Sequence, residues 1–439
     1  MVSVPIVNER TRKELDFPKV ELHLHLDGSI RFSTLLELSL AKGTPLKGAK
    51  TVEELKKVLI THEPANLSKV LEAFDLLLPV VRGDAAAIER IAYEMCEDQA
   101  ANGVIYFEAR YSPHLLVAPG GELTSTGVVE AIKQGFDRGE ADFGVKARSI
   151  VCCIRGLHQY AAKLLVQVEL HLHLDGSIRF STLLELSLAK GTPLKGAKTV
   201  EELKKVLITH EPANLSKVLE AFDLLLPVVR GDAAAIERIA YEMCEDQAAN
   251  ATDLRHLGVV AIDVAGSAHG ADEQYEREIV LIYQEAFKRG IHRTVHAGES
   301  GGAKEVDKAI KDMHAERIGH GYRVMREPGI YKKYFIDDRR IHLEACPYSS
   351  IMTGAVALDW KNHPIASWAK DKVNFSISRD DPTCFDNTML SELQLVRDEI
   401  GLTTHQLWEC QLNAARSCFL SEKEKKPIIE KILAAEPKH

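Results

Sequence analysis

Several features that would identify whole classes of protein are missing from this chain of 439 residues. Its apolar runs are short: the longest, such as Leu76–Val81, are far below the roughly 20 residues that a membrane helix needs. The segment Met1–Lys19 is rich in charge and has no apolar core, so we expect no signal peptide. These absences favour a cytoplasmic protein with no membrane partner.

Neither the cysteines nor the charges indicate a disulfide framework or a nucleic-acid partner. The eight cysteines form no CxxC pair and have no regular spacing, so we expect reduced, structural thiols. Acidic residues outnumber basic ones by 64 to 55, which gives a net charge of -9 and an isoelectric point of about 6.1. An acidic chain lacks the basic surface that nucleic acids require, and we expect a small-molecule substrate instead.

Short apolar runs recur along the chain and predict eight buried strands: Val20–Leu26, Val104–Ala109, Ser149–Ile154, Val259–Val264, His292–His296, Arg317–His320, Ile341–Ala345 and Val373–Ile377. Stretches with helical periodicity lie between them, and Ala86–Ala100 and Tyr275–Lys288 are the clearest. Alternating strands and helices favour a parallel sheet. Eight such units predict a TIM-type (β/α)8 barrel, whose active site lies at the C-terminal ends of the strands.

An internal repeat interrupts this pattern, because Val20–Asn102 recurs without a change as Val168–Asn250. The second copy lies between the third and fourth predicted strands and is an extra copy of the first βα segment. Perfect identity means that no divergence has occurred, which favours a recent duplication, or an error in assembling the sequence, over an old functional repeat. We predict one barrel domain over residues 1–439, with residues 168–250 as an insert that forms no part of the barrel.

Side chains that bind metals stand at the ends of several predicted strands. His23 and His25 are two residues apart on the first strand, so both point to the same face. His296 ends the fifth strand, and the pair Asp380 and Asp381 follows the eighth. Three imidazoles and one carboxylate from separate strand ends make a nitrogen-and-oxygen site that suits zinc.

Each of these motifs also has an ordinary structural interpretation. A His-x-His pair is often a core or surface feature, Glu299 would serve as a cap, and His320 would stand in a tight turn between two glycines. The Asp pair before Pro382 is also typical of a helix N-cap. Their coincidence at strand ends favours chemistry, and Glu299 and His320 are of the type used for acid–base catalysis beside a metal.

Seven motifs in order give the chain a close resemblance to the adenosine deaminase family, over nearly its whole length apart from the second copy. They are His-Leu-His-Leu-Asp-Gly at 23–28, Phe-Glu-Ala-Arg-Tyr-Ser-Pro at 107–113, Ile-Asp-Val-Ala-Gly at 262–266, His-Ala-Gly-Glu at 296–299, Arg-Ile-Gly-His-Gly at 317–321, Cys-Pro-Tyr-Ser-Ser at 346–350 and Asp-Asp-Pro at 380–382. The chain departs from the family at Arg379, where a threonine is common.

The resemblance implies a zinc-dependent aminohydrolase of purine metabolism, expected to be a monomer. It implies that one ion per chain is held by four ligands: His23, His25, His296 and Asp380. Glu299 would handle the proton at purine N1, and His320 would act on the zinc-activated water that attacks C6. The implied substrate contacts are Asp381 at N7, Gly266 at N3 and Asp27 near the ribose 5′-hydroxyl. The implied reaction converts adenosine, and also 2′-deoxyadenosine, to inosine.

The second copy repeats three of the site residues as His171, His173 and Asp175. Only one copy can occupy the first strand position of a barrel. The first copy runs directly into the second strand, as a right-handed βαβ connection requires, and we therefore assign the site to it. Two alternatives remain open: an inactive or misfolded chain because of the insert, or a related deaminase that acts on N6-methyl-AMP or adenine.

Overall fold

Eight parallel strands follow one another in chain order and form a TIM (β/α)8 barrel. The computed structural model describes residues 3–155, 178–192, 194–208, 215–250, 254–266 and 275–437. The strands are β1 Lys19–His25, β2 Val104–Tyr111, β3 Lys146–Ile154, β4 Val259–Ala265, β5 His292–Ala297, β6 Arg317–His320, β7 His342–Ala345 and β8 Phe375–Ile377. All eight predicted strands are confirmed, with small shifts at their ends.

The barrel closes where β8 meets β1. Each strand pairs in parallel with the next one in the chain, and Leu24 and Asp380 form a parallel bridge between the last strand end and the first strand. The His25 amide donates to the Asp380 carbonyl at 3.0 Å, and the Asp380 amide donates to the His23 carbonyl at 3.2 Å. This closing seam therefore brings together three of the residues that we predicted to bind metal.

Both faces of the strands are buried, as the apolar runs indicated. In β1, Leu22 and Leu24 are 0% exposed, and so are the polar Glu21 and His23 that alternate with them. Glu21 is stabilised there because Arg379 donates to both of its carboxylate oxygens, at 3.0 and 2.8 Å. Arg379, the departure from the family pattern, thus forms a buried ion pair across the closing seam.

The chain divides into two compact units, residues 1–164 with 254–439 and residues 165–253. The helices of the barrel unit are Glu9–Glu14, Phe32–Lys42, Val52–Leu59, Leu67–Leu71, Phe74–Val81, Ala85–Ala101, Pro113–Leu116, Ser125–Phe143, Arg277–Lys288, Ala303–Asp312, Pro328–Tyr331, Pro347–Met352, Pro364–Lys370, Pro382–Phe385, Met389–Leu395, Thr404–Ser417 and Glu422–Ala434. Short 3₁₀ segments are Leu254–Leu257, Tyr322–Arg326 and Trp360–Asn362, and π-helical turns are Lys332–Asp338 and Val396–Ile400. Both helices that the sequence predicted most clearly are present.

The second unit consists of the helices that the repeat encodes, inserted in the chain between β3 and β4. They are Phe180–Lys190, Val200–Leu207, Leu215–Val229 and Ala233–Asn250. Their apolar side chains form a core of their own, in which Leu194, Leu203 and Val228 are almost completely buried. Residues 168–177, the first part of the copy, lie outside the described residues. That the insert forms no part of the barrel therefore stays a prediction.

Two of the composition-based expectations concern the described part of the chain. No helix there has the length and apolar content that crossing a membrane demands. The described cysteines are all buried and free: Cys96, Cys152, Cys153, Cys346, Cys384, Cys410 and Cys418.

Candidate active site

Five of the predicted site residues converge at the C-terminal ends of the strands. His23 and His25 come from β1, His296 from β5 and His320 from β6, and Asp380 follows β8. All of them are buried except His25, whose side chain is 13% exposed. Widely separated parts of the sequence therefore meet in one cluster because parallel strands end at the same edge of the barrel.

The nitrogen and oxygen atoms of the cluster have the spacing of a tetrahedral metal site. His25 Nε2 lies 3.3 Å from His296 Nε2. Asp380 Oδ1 lies 3.3 Å from His23 Nε2 and 3.4 Å from His25 Nε2. Four ligands bound tetrahedrally at about 2.0–2.1 Å from zinc are separated from one another by about 3.3–3.4 Å. The donor atoms therefore fit a zinc ion in both type and distance.

Two buried carboxylates hold the far sides of two histidine rings. His23 Nδ1 lies 2.7 Å from Glu344 Oε2, and His296 Nδ1 lies 2.8 Å from Asp263 Oδ2. These contacts turn Nε2 of each ring toward the cluster, in the carboxylate–histidine arrangement common around metals. Sequence reasoning missed both carboxylates. The available signal was an acidic residue inside an otherwise apolar strand, in Ile-Asp-Val-Ala-Gly and in His-Leu-Glu-Ala.

Both orienting carboxylates are kept ionised. Burial alone would raise the pKa of Glu344, but Arg110 and Arg317 hold it well below its usual value. Burial opposes ionisation of Asp263 in the same way, and His296 and Arg110 lower its pKa. A permanent negative charge on each of them favours the Nδ1–H tautomer of the histidine that it contacts.

Glu299 and His320 form a second pair beside the first. His320 Nε2 lies 3.7 Å from Glu299 Oε2 and 3.9 Å from Asp380 Oδ2. Burial, followed by the charge of Asp380, raises the pKa of Glu299 to about 8. Burial lowers the pKa of His320 well below its usual value. A protonated carboxyl group next to a neutral imidazole can act as an acid and a base in the same pocket.

The backbone at two of these residues adopts a conformation that most residues avoid. His320 has φ 66° and Asp380 has φ 70°. Such left-handed geometry is uncommon outside glycine and clusters at functional sites, although Asp and His tolerate it better than most. Ser349, which sequence reasoning did not single out, donates its hydroxyl to Asp380 Oδ2 at 2.7 Å and holds that carboxylate in place.

The remaining predicted residues line the same strand ends. Asp27 and Asp381 are buried, and neither Asp27 Oδ1 nor Asp381 Oδ1 has a hydrogen-bond partner in the described part of the chain. Burial raises the pKa of Asp27 to about 7 and that of Asp381 well above its usual value. Gly28 is required next to them, since an added Cβ would lie 2.0 Å from Asp381 Oδ1. Gly266 directly follows β4 and has φ +96°.

The duplicate site residues are not placed. His171, His173 and Asp175 lie outside the described residues. In the described part of the chain, the donor atoms of His23, His296, His320 and Asp380 all lie within 4.8 Å of one another. His320 therefore belongs to the cluster, but its 3.9 Å separation from Asp380 is longer than the 3.4 Å separation of His25 from the same residue.

A family model and two relatives that match this sequence are all described as adenosine deaminases. A family model described as adenosine deaminase matches residues 18–168, 166–253 and 248–435. The adenosine deaminase of Danio rerio is 34% identical over 430 residues, covering 96% of this chain and 96% of the relative. That of Gallus gallus is 34% identical over 439 residues, covering 97% and 98%.

Solved structures share the fold at lower identity. An adenine deaminase from Arthrobacter aurescens superposes with a TM-score of 0.66 at 19% identity, covering 95% of this chain and 98% of that one. The N6-mAMP deaminase of Arabidopsis superposes with a TM-score of 0.64 at 22% identity, covering 96% and 99%. With the family model matched over most of its length, the chain belongs to the adenosine deaminase family.

Proposed function

We propose that this chain is a zinc-dependent hydrolase that converts adenosine to inosine. The observation that carries the proposal is the spacing of 3.3–3.4 Å among the donor atoms of His23, His25, His296 and Asp380. Those distances support His25, rather than His320, as the third imidazole ligand. A buried, protonatable Glu299 stands beside this ligand set, which is the combination that hydrolysis at a ring carbon requires. Membership of the adenosine deaminase family supports the 6-amino group of a purine as the point of attack.

The side chains divide the proton transfers between them. A zinc ion held by His23, His25, His296 and Asp380 would supply Lewis acidity, the chemistry by which water deprotonates near neutral pH. His320, held neutral by its burial, accepts a proton from the attacking water. Glu299, whose pKa of about 8 leaves it largely protonated at neutral pH, donates its proton to N1 of the purine. The water oxygen first adds to C6 as N1 takes the Glu299 proton. The proton held by His320 then passes to the amino nitrogen, the C6–N6 bond breaks and ammonia leaves. The proton of the new C6 hydroxyl returns to Glu299, and the product is inosine.

The surrounding groups orient the purine and its sugar. Asp381 has a raised pKa and an oxygen without a partner in the described residues, so its protonated form suits donation to N7. The backbone of Gly266 approaches N3, and Asp27 contacts the ribose 5′-hydroxyl. These contacts leave the 2′ position of the sugar unused, so 2′-deoxyadenosine is a second proposed substrate.

The acidic surroundings favour a nucleoside over a nucleotide. A 5′-phosphate is usually bound by arginine, by lysine or by a helix N-terminus. Among the described residues, neither Asp27 Oδ1 nor Asp381 Oδ1 has a hydrogen-bond partner, so no arginine or lysine is paired with these oxygens to receive a phosphate. Free adenine would forgo the contact at Asp27 altogether. Both considerations favour adenosine over N6-methyl-AMP and adenine as the substrate.

The test compares the three substrates by the change in ultraviolet absorbance on deamination. We expect kcat/KM for adenosine to exceed those for N6-methyl-AMP and adenine by at least tenfold, and faster turnover of either alternative would overturn the assignment. The variant Glu299→Gln is the matched control. It keeps the size of the side chain and the zinc ligands, and it should reduce kcat by about 10²–10⁴-fold because an amide cannot donate the proton that N1 needs.

We also propose that the first copy of the repeat fills the barrel and that residues 168–250 take no part in the site. The pairing of β1, Lys19–His25, with β2 supports this assignment. The paired variants His23→Ala/His25→Ala and His171→Ala/His173→Ala test it. We expect the first pair to abolish turnover and the second to leave it unchanged. The reverse result would move the metal site to the second copy, and no turnover in the parent chain would favour an inactive relative.

A further inference from the structure

One arginine of β2, Arg110, crosses the interior of the barrel and contacts three other strands. One of its terminal nitrogens donates to Asp263 Oδ2 on β4 at 2.9 Å. The other donates to Glu344 Oε2 on β7 at 2.7 Å and to the Leu22 carbonyl on β1 at 2.8 Å. The side chain is 0% exposed. A cation this deeply buried needs paired charges, and two carboxylates pair with its terminal nitrogens here, whereas its Nε has no hydrogen-bond partner among the described residues.

The two carboxylate oxygens that Arg110 contacts are the same two that hold the histidine rings. Asp263 Oδ2 is shared between Arg110 and His296 Nδ1, and Glu344 Oε2 is shared between Arg110 and His23 Nδ1. One carboxylate therefore lies between Arg110 and each of the two histidine rings. A single side chain thus supports two of the four proposed ligands, from opposite sides of the cluster.

We propose that Arg110 is a positioning residue that sets the zinc affinity of the site by clamping Asp263 and Glu344 against His296 and His23. This inference rests on the proposed zinc site. The proposed role concerns the orientation of the ligand side chains before any substrate binds. In the described residues, the hydrogen bonds of Arg110 go to Asp263, Glu344 and the Leu22 carbonyl and not to a proposed ligand atom, so its positioning effect passes through the two carboxylates.

The guanidinium group is suited to this role and an ammonium group is not. Its planar fork presents two nitrogens in a rigid arrangement, so it can contact two carboxylates at once. A lysine at the same position offers one compact charge and can pair well with only one of them. The carboxylate left without its partner would be free to rotate, and its histidine would lose the contact that orients Nδ1. Changing an outer partner of a metal ligand typically lowers metal affinity by about 10–100-fold.

Arg317 is a matched control in the same barrel interior. It is 1% exposed and pairs with Glu344 Oε1 at 2.7 Å and with Glu108 Oε2 at 2.6 Å. It therefore resembles Arg110 in burial and in the number of carboxylates that it holds. It contacts the other oxygen of Glu344, however, which also keeps a hydrogen bond from the Thr294 hydroxyl at 2.9 Å.

The experiment measures zinc binding to the metal-free proteins by competition with a chromophoric chelator. Arg110→Lys should weaken zinc binding by about 10–100-fold, while Arg317→Lys should change it by less than about threefold. Urea unfolding of the same metal-free proteins reports the structural cost of each substitution. The visible absorption of the Co²⁺-loaded proteins reports ligand geometry, and it should change in Arg110→Lys alone.

Equal loss of zinc affinity in the two arginine variants, or an unchanged Co²⁺ spectrum in Arg110→Lys, would overturn the inference. If Arg110→Lys does not fold, Arg110→Gln is measured in its place, together with the double variant Arg110→Gln/Asp263→Asn. Because both changes act through Asp263, the double variant should weaken zinc binding by less than the two single effects combined. A loss equal to the two single effects combined would contradict the inference. The variant His296→Ala distinguishes failure of the proposed zinc site from failure of the proposed role of Arg110. Retention of zinc by His296→Ala would contradict the zinc site itself. Equal effects of the two arginine variants would contradict only the role of Arg110.

Discussion

The substitution Gly319→Ala tests the placement of His23 by adding a single methyl group. Gly319 lies in β6 opposite His296 of β5 and Glu344 of β7. A Cβ at this position would lie 2.7 Å from His23 Cε1 and 3.1 Å from His23 Nδ1. Carbon atoms in contact are separated by about 3.5 Å, so the imidazole must retreat by about 0.8 Å. The ring has little freedom to do so, since Glu344 holds Nδ1 at 2.7 Å.

The expected magnitude follows from that displacement. Functional groups at a catalytic site must stay within about 0.5 Å of their productive positions. A misplacement of about 1 Å costs on the order of 10²-fold in rate, so we expect kcat/KM to fall about 10²-fold. Zinc affinity should fall with it because His23 Nε2 leaves its position 3.3 Å from Asp380 Oδ1. The methyl group should lower the free energy of unfolding by only about 1–3 kcal/mol, the usual cost of overpacking.

The assay combines the rate of adenosine loss, zinc content after dialysis and urea unfolding. Gly329→Ala is the control, since nothing lies within 4 Å of a Cβ added at that position. We expect the control to match the parent in all three measurements. If Gly319→Ala keeps the zinc affinity and turnover of the parent, then His23 is not held where the structure places it and is not a ligand in this geometry.

Three further results are expected. His296→Ala should lose most of its zinc and its activity, as measured by metal analysis, and full zinc retention would contradict the assignment. Burial raises the pKa of Glu392 to about 8 from 4.5, so the folded chain holds a proton that the unfolded chain releases, and the free energy of unfolding should decline as pH rises from 4.5 to 8. Urea unfolding should show a smaller decline in Glu392→Gln; an equal one would exclude this group as its source. Deleting residues 168–250 should preserve or raise both activity and melting temperature, and a clear loss of either would give the insert a role.

The strands could be predicted because their signal is local. A parallel strand covered on both faces needs an apolar run, and each of the eight runs became a strand. The predicted ends of the strands were less accurate where the residues that pair with them come from distant parts of the sequence. Strand β3 begins at Lys146, earlier than the apolar run, because Lys146 pairs in register with Tyr106 of β2 and its side chain contacts Glu424 at 2.8 Å. Both partners lie far from Lys146 in the sequence.

The proposed ligands could be identified in the sequence, but the network that supports them could not. His23, His296 and Asp380 stand in recognisable motifs at strand ends. Glu344 and Asp263 show in the sequence only as acidic residues within apolar strands, and the fold is needed to place each of them beside a histidine ring. Arg379 shows the same limit, because it departs from the family pattern and its reason lies in Glu21, on a strand at the other end of the chain. Contacts that cross the barrel depend on closure, which no local pattern encodes.

The two copies of the repeat show which structural features the local sequence determines and which depend on neighbouring elements. Both copies form similar helices, although Leu67–Leu71 and Phe74–Val81 of the first copy correspond to one continuous helix, Leu215–Val229, in the second. An internal contact is also repeated: Thr34 donates to Glu94 at 2.7 Å, and Thr182 donates to Glu242 at 2.6 Å. The helix Ala85–Ala101 of the first copy also packs closely on the helix Ser125–Phe143, where a Cβ on Gly135 would lie 2.8 Å from Ala92 Cβ.

The outward face of that helix differs between the copies. Ile88 is 0% exposed in the first copy, whereas its counterpart Ile236 is 44% exposed in the second. Hydrophobic side chains left in contact with water forgo the stabilisation that burial provides, which amounts to about 1.5–3 kcal/mol for a fully buried isoleucine. Identical sequences therefore reach similar secondary structure, but the burial of equivalent side chains differs between the two copies in the described residues. This difference is the physical reason to expect the barrel to lose nothing when residues 168–250 are removed.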